Sequence, residues 1–155
     1  MNSLRSKGSI FKFYSYLPLI ILLISVLNEF DFNYLNLEYF SFNFPFILIF
    51  YFTLKDFRYF DYSLVFIAGL INDVVVGLPM GISGLSYLLI CGFAAYLRNI
   101  TLRPSLIKDW IFFLITISVV NSLLYIALNI IFLLKIDYFY YVTNTLFTFF
   151  LYFIF

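Results

Sequence analysis

Apolar residues run in six blocks along this chain, over about residues 13–27, 40–54, 62–76, 82–97, 110–134 and 138–155, and polar residues gather in the short intervals between them. Crossing the hydrocarbon core of a bilayer takes a helix of about 20 residues. Six blocks near that length, joined by short polar intervals, predict an all-α integral membrane protein. The expected form is a compact bundle of about six transmembrane helices in a single membrane domain, with no room for a soluble domain.

The intervals sharpen the picture. Arg5, Lys7 and Lys12 precede the block from Phe13 to Leu27, as in the basic and hydrophobic regions of a signal peptide. No Ala-x-Ala-type site follows and further apolar blocks do, so a retained first span is expected, with Pro18 tolerated in its first turns. Residues 28–44 mix Glu29, Asp31 and Glu38 with aromatics. The alternation of Phe30, Phe32 and Tyr34 allows a short strand, but an aromatic belt at a membrane interface accounts for it more simply. Pro45 is expected to open the second span. Lys55, Asp56, Arg58 and Asp61 form a charged loop before the third, and Gly77-Leu-Pro-Met-Gly81 turns the chain directly into the fourth.

Orientation follows from the basic residues. With six spans and the N-terminus inside, Arg5, Lys7, Lys12, Lys55, Arg58, Arg98, Arg103 and Lys108 are cytoplasmic and Lys135 alone lies outside. That asymmetry obeys the positive-inside rule and places both termini in the cytoplasm.

Composition agrees. The chain is 65% hydrophobic and 11% charged, whereas soluble domains are about a quarter charged. Nine basic against eight acidic residues provide no concentrated basic surface for nucleic acid. With no histidine and one cysteine, Cys91, the commonest general base and metal ligand are missing and no internal disulfide can form. Neither a metal nor another cofactor is expected. No catalytic constellation or phosphate-cradling Gly-Lys-Ser loop is visible, so no enzymatic activity is expected.

The chemistry worth weighing sits inside the predicted spans. Asp73 lies in the middle of an apolar block, where an acidic group costs about 2.5–3.5 kcal/mol on insertion scales. At helical spacing Gly69, Asn72, Asp73, Val76 and Gly77 share one side of the third span, a small and polar face suited to packing against protein. Gly84, Gly92 and Ala95 continue the theme on the fourth. Ser118, Ser122, Tyr125 and Asn129 share a face of the fifth span, and Asn144, Thr148 and Tyr152 one of the sixth. Such stripes serve interhelical hydrogen bonding more often than cavities. Asp73 is expected to be held by hydrogen bonds, with Ser, Asn and Tyr groups of the fifth and sixth helices within reach, and Asn is expected to replace it.

The stretch Phe66-Ile-Ala-Gly69-Leu-Ile-Asn72-Asp73-Val-Val-Val-Gly77-Leu-Pro79-Met-Gly81-Ile-Ser-Gly-Leu-Ser-Tyr87-Leu-Leu resembles the bacterial rod shape-determining protein MreD family. That family shows a Gly-Leu-x-x-Asp element, then Gly-x-Pro-x-Gly, a helix with a Tyr-Leu-Leu-like run, and an arginine at its cytoplasmic end, which Arg98 matches. Pro45 matches a proline near the family's second span, but Phe46 stands where an acidic residue often follows. The specific match covers about 35 residues.

The resemblance implies a fold similar to the substrate-binding subunits of energy-coupling-factor transporters. It also implies a non-enzymatic, multi-pass inner-membrane component of the cell-wall elongation machinery, surrounded by membrane lipids. The implied partners are an MreC-like protein, the peptidoglycan transpeptidase and glycosyltransferase, and indirectly MreB filaments. Gly69, Asn72, Asp73, Gly77, Pro79, Gly81 and Arg98 are then the structural or partner-binding residues. The competing reading is a small-molecule or lipid-binding membrane subunit of a transporter, with Asp73 and the polar stripes lining its pocket.

Overall fold

A computed structural model describes residues 18–26, 42–55, 61–101, 105–133 and 138–154, and among them every regular element is helical. Helix α1 covers 18–26; α2 is Phe44–Lys55, α3 Tyr62–Val76, α4 Ile82–Ile100, α5 Leu106–Ile126 and α6 Tyr138–Tyr152. A π-helical turn, Ala127–Ile131, extends α5.

The helix ends follow local chemistry. Pro45 occupies the first turn of α2, where its missing N–H costs no helical hydrogen bond. Asp61 caps α3 through Oδ1, which accepts from the Ser63 amide at 3.4 Å. α3 ends at Gly77, whose left-handed φ of 74° suits a glycine. α4 runs three residues past its expected end at Leu97 and α5 begins four before its expected start at Trp110. Lys108 and Asp109 thus lie inside the first turn of α5, where unpaired helical N–H groups favour an acidic neighbour. The possible strand at Phe30–Tyr34 and the loop charges Asp56, Arg58, Arg103 and Lys135 lie outside the described residues, as do Arg5, Lys7 and Lys12.

Packing sets the directions of the helices. Phe46 meets Tyr87 edge-on at 5.8 Å and Thr53 lies 3.5 Å from the Cys91 sulfur, so α2 and α4 run the same way. Asn43 donates its amide to Thr148 Oγ1 at 2.9 Å and Phe50 meets Tyr152 at 5.7 Å, which aligns α6 with them. Trp110 stacks on Phe149 at 4.4 Å while Asn121 donates to Thr145 at 2.7 Å, so α5 is antiparallel to α6. Hence α2, α4 and α6 run one way and α3 and α5 the other. Lys55, Arg98 and Lys108 consequently fall at one end of the bundle and the Gly77–Gly81 turn at the opposite end.

The centre is α2. Its run Pro45–Phe50 is buried without interruption, and Leu22 and Val26 of α1, Tyr87, Ile90 and Cys91 of α4, and Phe113 and Ile117 of α5 complete one core around it. A helix apolar on all sides belongs in such a position. Leu106–Ile131 is long and apolar enough to cross a membrane, whereas Phe44–Lys55 and Tyr62–Val76 are shorter apolar helices.

Candidate functional site

Asp73 sits in the last turn of α3 and is fully buried. It completes the end of one helix and the start of the next. Its carbonyl oxygen accepts the Gly77 amide and the Leu78 amide at 2.9 Å, closing α3. Its carboxylate reaches across the turn to α4. Oδ2 accepts from the Gly81 amide at 2.7 Å and Oδ1 from the Ser83 amide at 2.9 Å.

The need for this reach is local. Gly81 is the residue that caps α4, with φ 99° and no side chain to offer the first-turn amides. A positive φ selects glycine there, and glycine cannot supply the oxygen that Ser or Asp gives at an ordinary helix start. Asp73, eight residues back, supplies it instead. The acceptor also lies at the positive end of the α4 dipole, which favours an acidic group at that point. Pro79 accepts the Ile82 amide through its carbonyl at 3.4 Å and stiffens the turn between the two glycines.

The helices forming this corner touch backbone to backbone. A methyl group placed on Gly69 of α3 would fall on the Cα and N of Gly84 and reach the Ser83 carbonyl carbon at 2.8 Å. One placed on Gly84 would meet the Phe66 ring at 2.9 Å. Gly69 is the stricter requirement, because its methyl would meet backbone where that of Gly84 meets mainly a side chain. Asn72 ties the same crossing, its Nδ2 donating to Ser83 Oγ at 3.0 Å. Beneath it Tyr87 is buried with no hydrogen-bond partner for its hydroxyl among the described residues.

The structure thus brings together Gly69, Asn72, Asp73, Gly77, Pro79 and Gly81. Arg98 does not join them: it lies at the opposite end of α4, some fifteen residues or about 22 Å beyond Ser83 at 1.5 Å per residue. Val76 also leaves the face assigned to it and is 44% exposed, because α3 is already turning into its cap. Asp73 takes its partners from the α4 backbone and none from side chains of α5 or α6. The first turn of a helix holds free N–H groups that satisfy a carboxylate at no cost to other bonds.

The stripe on α5 is corrected as well. Ser118, Ser122 and Asn129 are exposed and Tyr125 half-buried, packed against Tyr138 and Tyr141 of α6. The inward face carries Phe113, Thr116, Ile117, Val120 and Asn121. On α6, by contrast, Thr148 is buried and Tyr152 stacks on Phe113 at 4.2 Å, so that stripe does pack inward. Gly92 opens onto free space, unlike Gly84. Ser83 is the site residue that sequence reasoning passed over; its position two after Gly81, at the start of a helix, was the available signal.

Among the described residues no three His, Cys, Asp or Glu side chains gather in a way that could hold a metal ion. No family model, curated protein or solved structure matches this chain.

Proposed function

We propose that this chain is a non-enzymatic, multi-pass component of the bacterial cytoplasmic membrane that acts by binding other proteins of the cell-wall elongation machinery. The observation that carries the reading is the employment of Asp73. The buried acidic group that most resembles a functional residue has both carboxylate oxygens engaged as the cap of α4. A carboxylate that caps a helix in this way serves the scaffold, which supports a structural role for Asp73 over proton transfer or ligand binding. The Gly-Asp…Gly-x-Pro-x-Gly corner then works as a rigid joint, and binding falls to the outer surfaces of the helices.

The resemblance of residues 66–89 to the rod shape-determining MreD family supplies the setting, an MreC-like partner and the peptidoglycan synthases. The gathering of Lys55, Arg98 and Lys108 at one end of the bundle supports a fixed orientation with that end in the cytoplasm. The competing reading, a subunit that binds a small molecule or lipid, is favoured by the Tyr87 hydroxyl, which is buried beside the joint without a partner among the described residues.

Depletion in the native host separates the two. Rounded, widened cells, together with recovery of an MreC-like protein on mild-detergent purification, support the elongation role. Normal rods with a nutrient-uptake defect overturn it in favour of the transporter subunit.

A further inference from the structure

Two hydroxyls among the described residues are buried without a hydrogen-bond partner, Ser25 Oγ on α1 and Tyr87 Oη on α4. They are not equivalent. A helical serine or threonine can turn its hydroxyl onto the carbonyl four residues back, as Thr116, Thr145 and Thr148 do here at 2.7–2.8 Å. The tyrosine hydroxyl stands at the far end of a ring, beyond the reach of its own backbone. Tyr87 is 1% exposed, and its ring packs edge-on against Phe46 of α2, which holds the hydroxyl inside.

Tyr87 points at the joint. It lies one turn after Ser83, and side chains on a helix lean toward its N-terminus. The ring therefore covers the turn whose Ser83 amide meets Asp73 Oδ1, and hydroxyl and carboxylate come within electrostatic reach of each other. The joint also has hydrogen-bonding capacity to spare. A carboxylate offers about four acceptor positions, and that of Asp73 receives two amides. Ser83 Oγ accepts from Asn72 Nδ2 and keeps its own proton free to donate, while the Asn72 side-chain oxygen accepts nothing among the described residues. An orphan donor and surplus acceptors thus meet at one buried corner.

We propose that one water molecule is bound inside the joint, accepting a hydrogen bond from the Tyr87 hydroxyl and donating one to the Asp73 carboxylate. The remaining capacity of Asn72 and Ser83 completes the two to four partners that a buried water takes. Water fits this corner and an ion does not. The first turn of α4 is the positive end of a helix dipole and disfavours a cation, while the carboxylate repels an anion. The outer turn gives a route in, since nothing lies within 4 Å of the point where Gly81 would carry a side chain. Tyr87 is then a positioning residue: through the water it holds the carboxylate against the α4 amides. The inference depends on the joint alone and not on the cell-wall role.

The sign of one substitution and one spectroscopic contact test it on the full chain in lipid bilayers. Removing a buried hydroxyl that has no partner raises stability, whereas removing one bonded to a held water lowers it. Y87F is expected to lower the thermal unfolding midpoint by about 2–4 °C, the shift for one ordinary hydrogen bond in a chain of this size. A midpoint unchanged or raised overturns the proposal. In solid-state NMR, magnetisation from water protons is expected to reach the hydroxyl-bearing ring carbon of Tyr87, assigned by its loss in Y87F. It should arrive well before it reaches the ring of Phe113, which is as deeply buried and carries no polar atom. Transfer to Tyr87 as slow as to Phe113 overturns the proposal whatever Y87F does to stability, because the partner of the hydroxyl is then not water. So does native mass spectrometry that finds an organic molecule retained by wild type and lost from Y87F, which passes the site to the small-molecule reading.

Discussion

The Asp73 carboxylate and the Gly81 amide stand 2.7 Å apart, and through that bond the end of α3 caps the beginning of α4. The second oxygen repeats the contact with the Ser83 amide. Two N–H donors call for a side chain with two acceptor oxygens. Asn offers one oxygen and sets an NH2 group against the other N–H. The expectation that Asn replaces Asp73 is therefore revised by the geometry: D73N is expected to lose about 1–3 kcal/mol of stability, the cost of one stranded buried donor, and D73L more. Unfolding midpoints in mild detergent should rank wild type above D73N and D73N above D73L. An unchanged midpoint for D73N would show that the second amide contact adds nothing.

Glycines at the crossing should differ in tolerance. A methyl at Gly69 meets backbone of α4, which cannot move without parting the helices, whereas one at Gly84 meets mainly the Phe66 ring, which can turn aside. G69A is expected to cost about 1–3 kcal/mol, as overpacking of a close contact does, and G84A less. G92A meets nothing within 4 Å and should be neutral or slightly stabilising, since Ala exceeds Gly in helix propensity by up to about 1 kcal/mol. The same unfolding measurement checks all three, and equal effects of G69A and G84A would rule out the difference drawn between them.

Asn121 and Thr145 form the polar link between α5 and α6, with Nδ2 2.7 Å from Oγ1. A double-mutant cycle of N121A and T145V is expected to show a coupling of about 0.6 kcal/mol, with an upper bound near 1.7, the range for such pairs in membranes. A coupling of zero would mean the pair is packing without a bond.

Topology can be read from opposite ends of the bundle. Met80, in the exposed turn between α3 and α4, and Lys108, in the first turn of α5, are expected on opposite sides of the membrane. A membrane-impermeant thiol reagent added to intact cells should label M80C and spare K108C. Labelling of both from outside would end the alternating arrangement.

Much of this was legible in the residues. Continuous apolar blocks demand helices wherever the backbone must satisfy its own hydrogen bonds, and α3 runs from Tyr62 to Val76 as its block predicts. Glycine, proline and a lone acid likewise mark a close crossing and a turn, because few other residues allow either. The face of α5 was not legible. Hydrophobic periodicity reveals an inner face only by contrast with a polar outer one, and α5 has aliphatic residues all round. Its few polar groups therefore suggested an inward stripe, whereas packing against α4 and α6 turned Thr116 and Asn121 inward and left Ser118 and Ser122 outside. Nor could the partners of Asp73 be read from side chains, since they are backbone amides. Only the folded turn, with Gly81 in its left-handed conformation, brings those amides to the carboxylate.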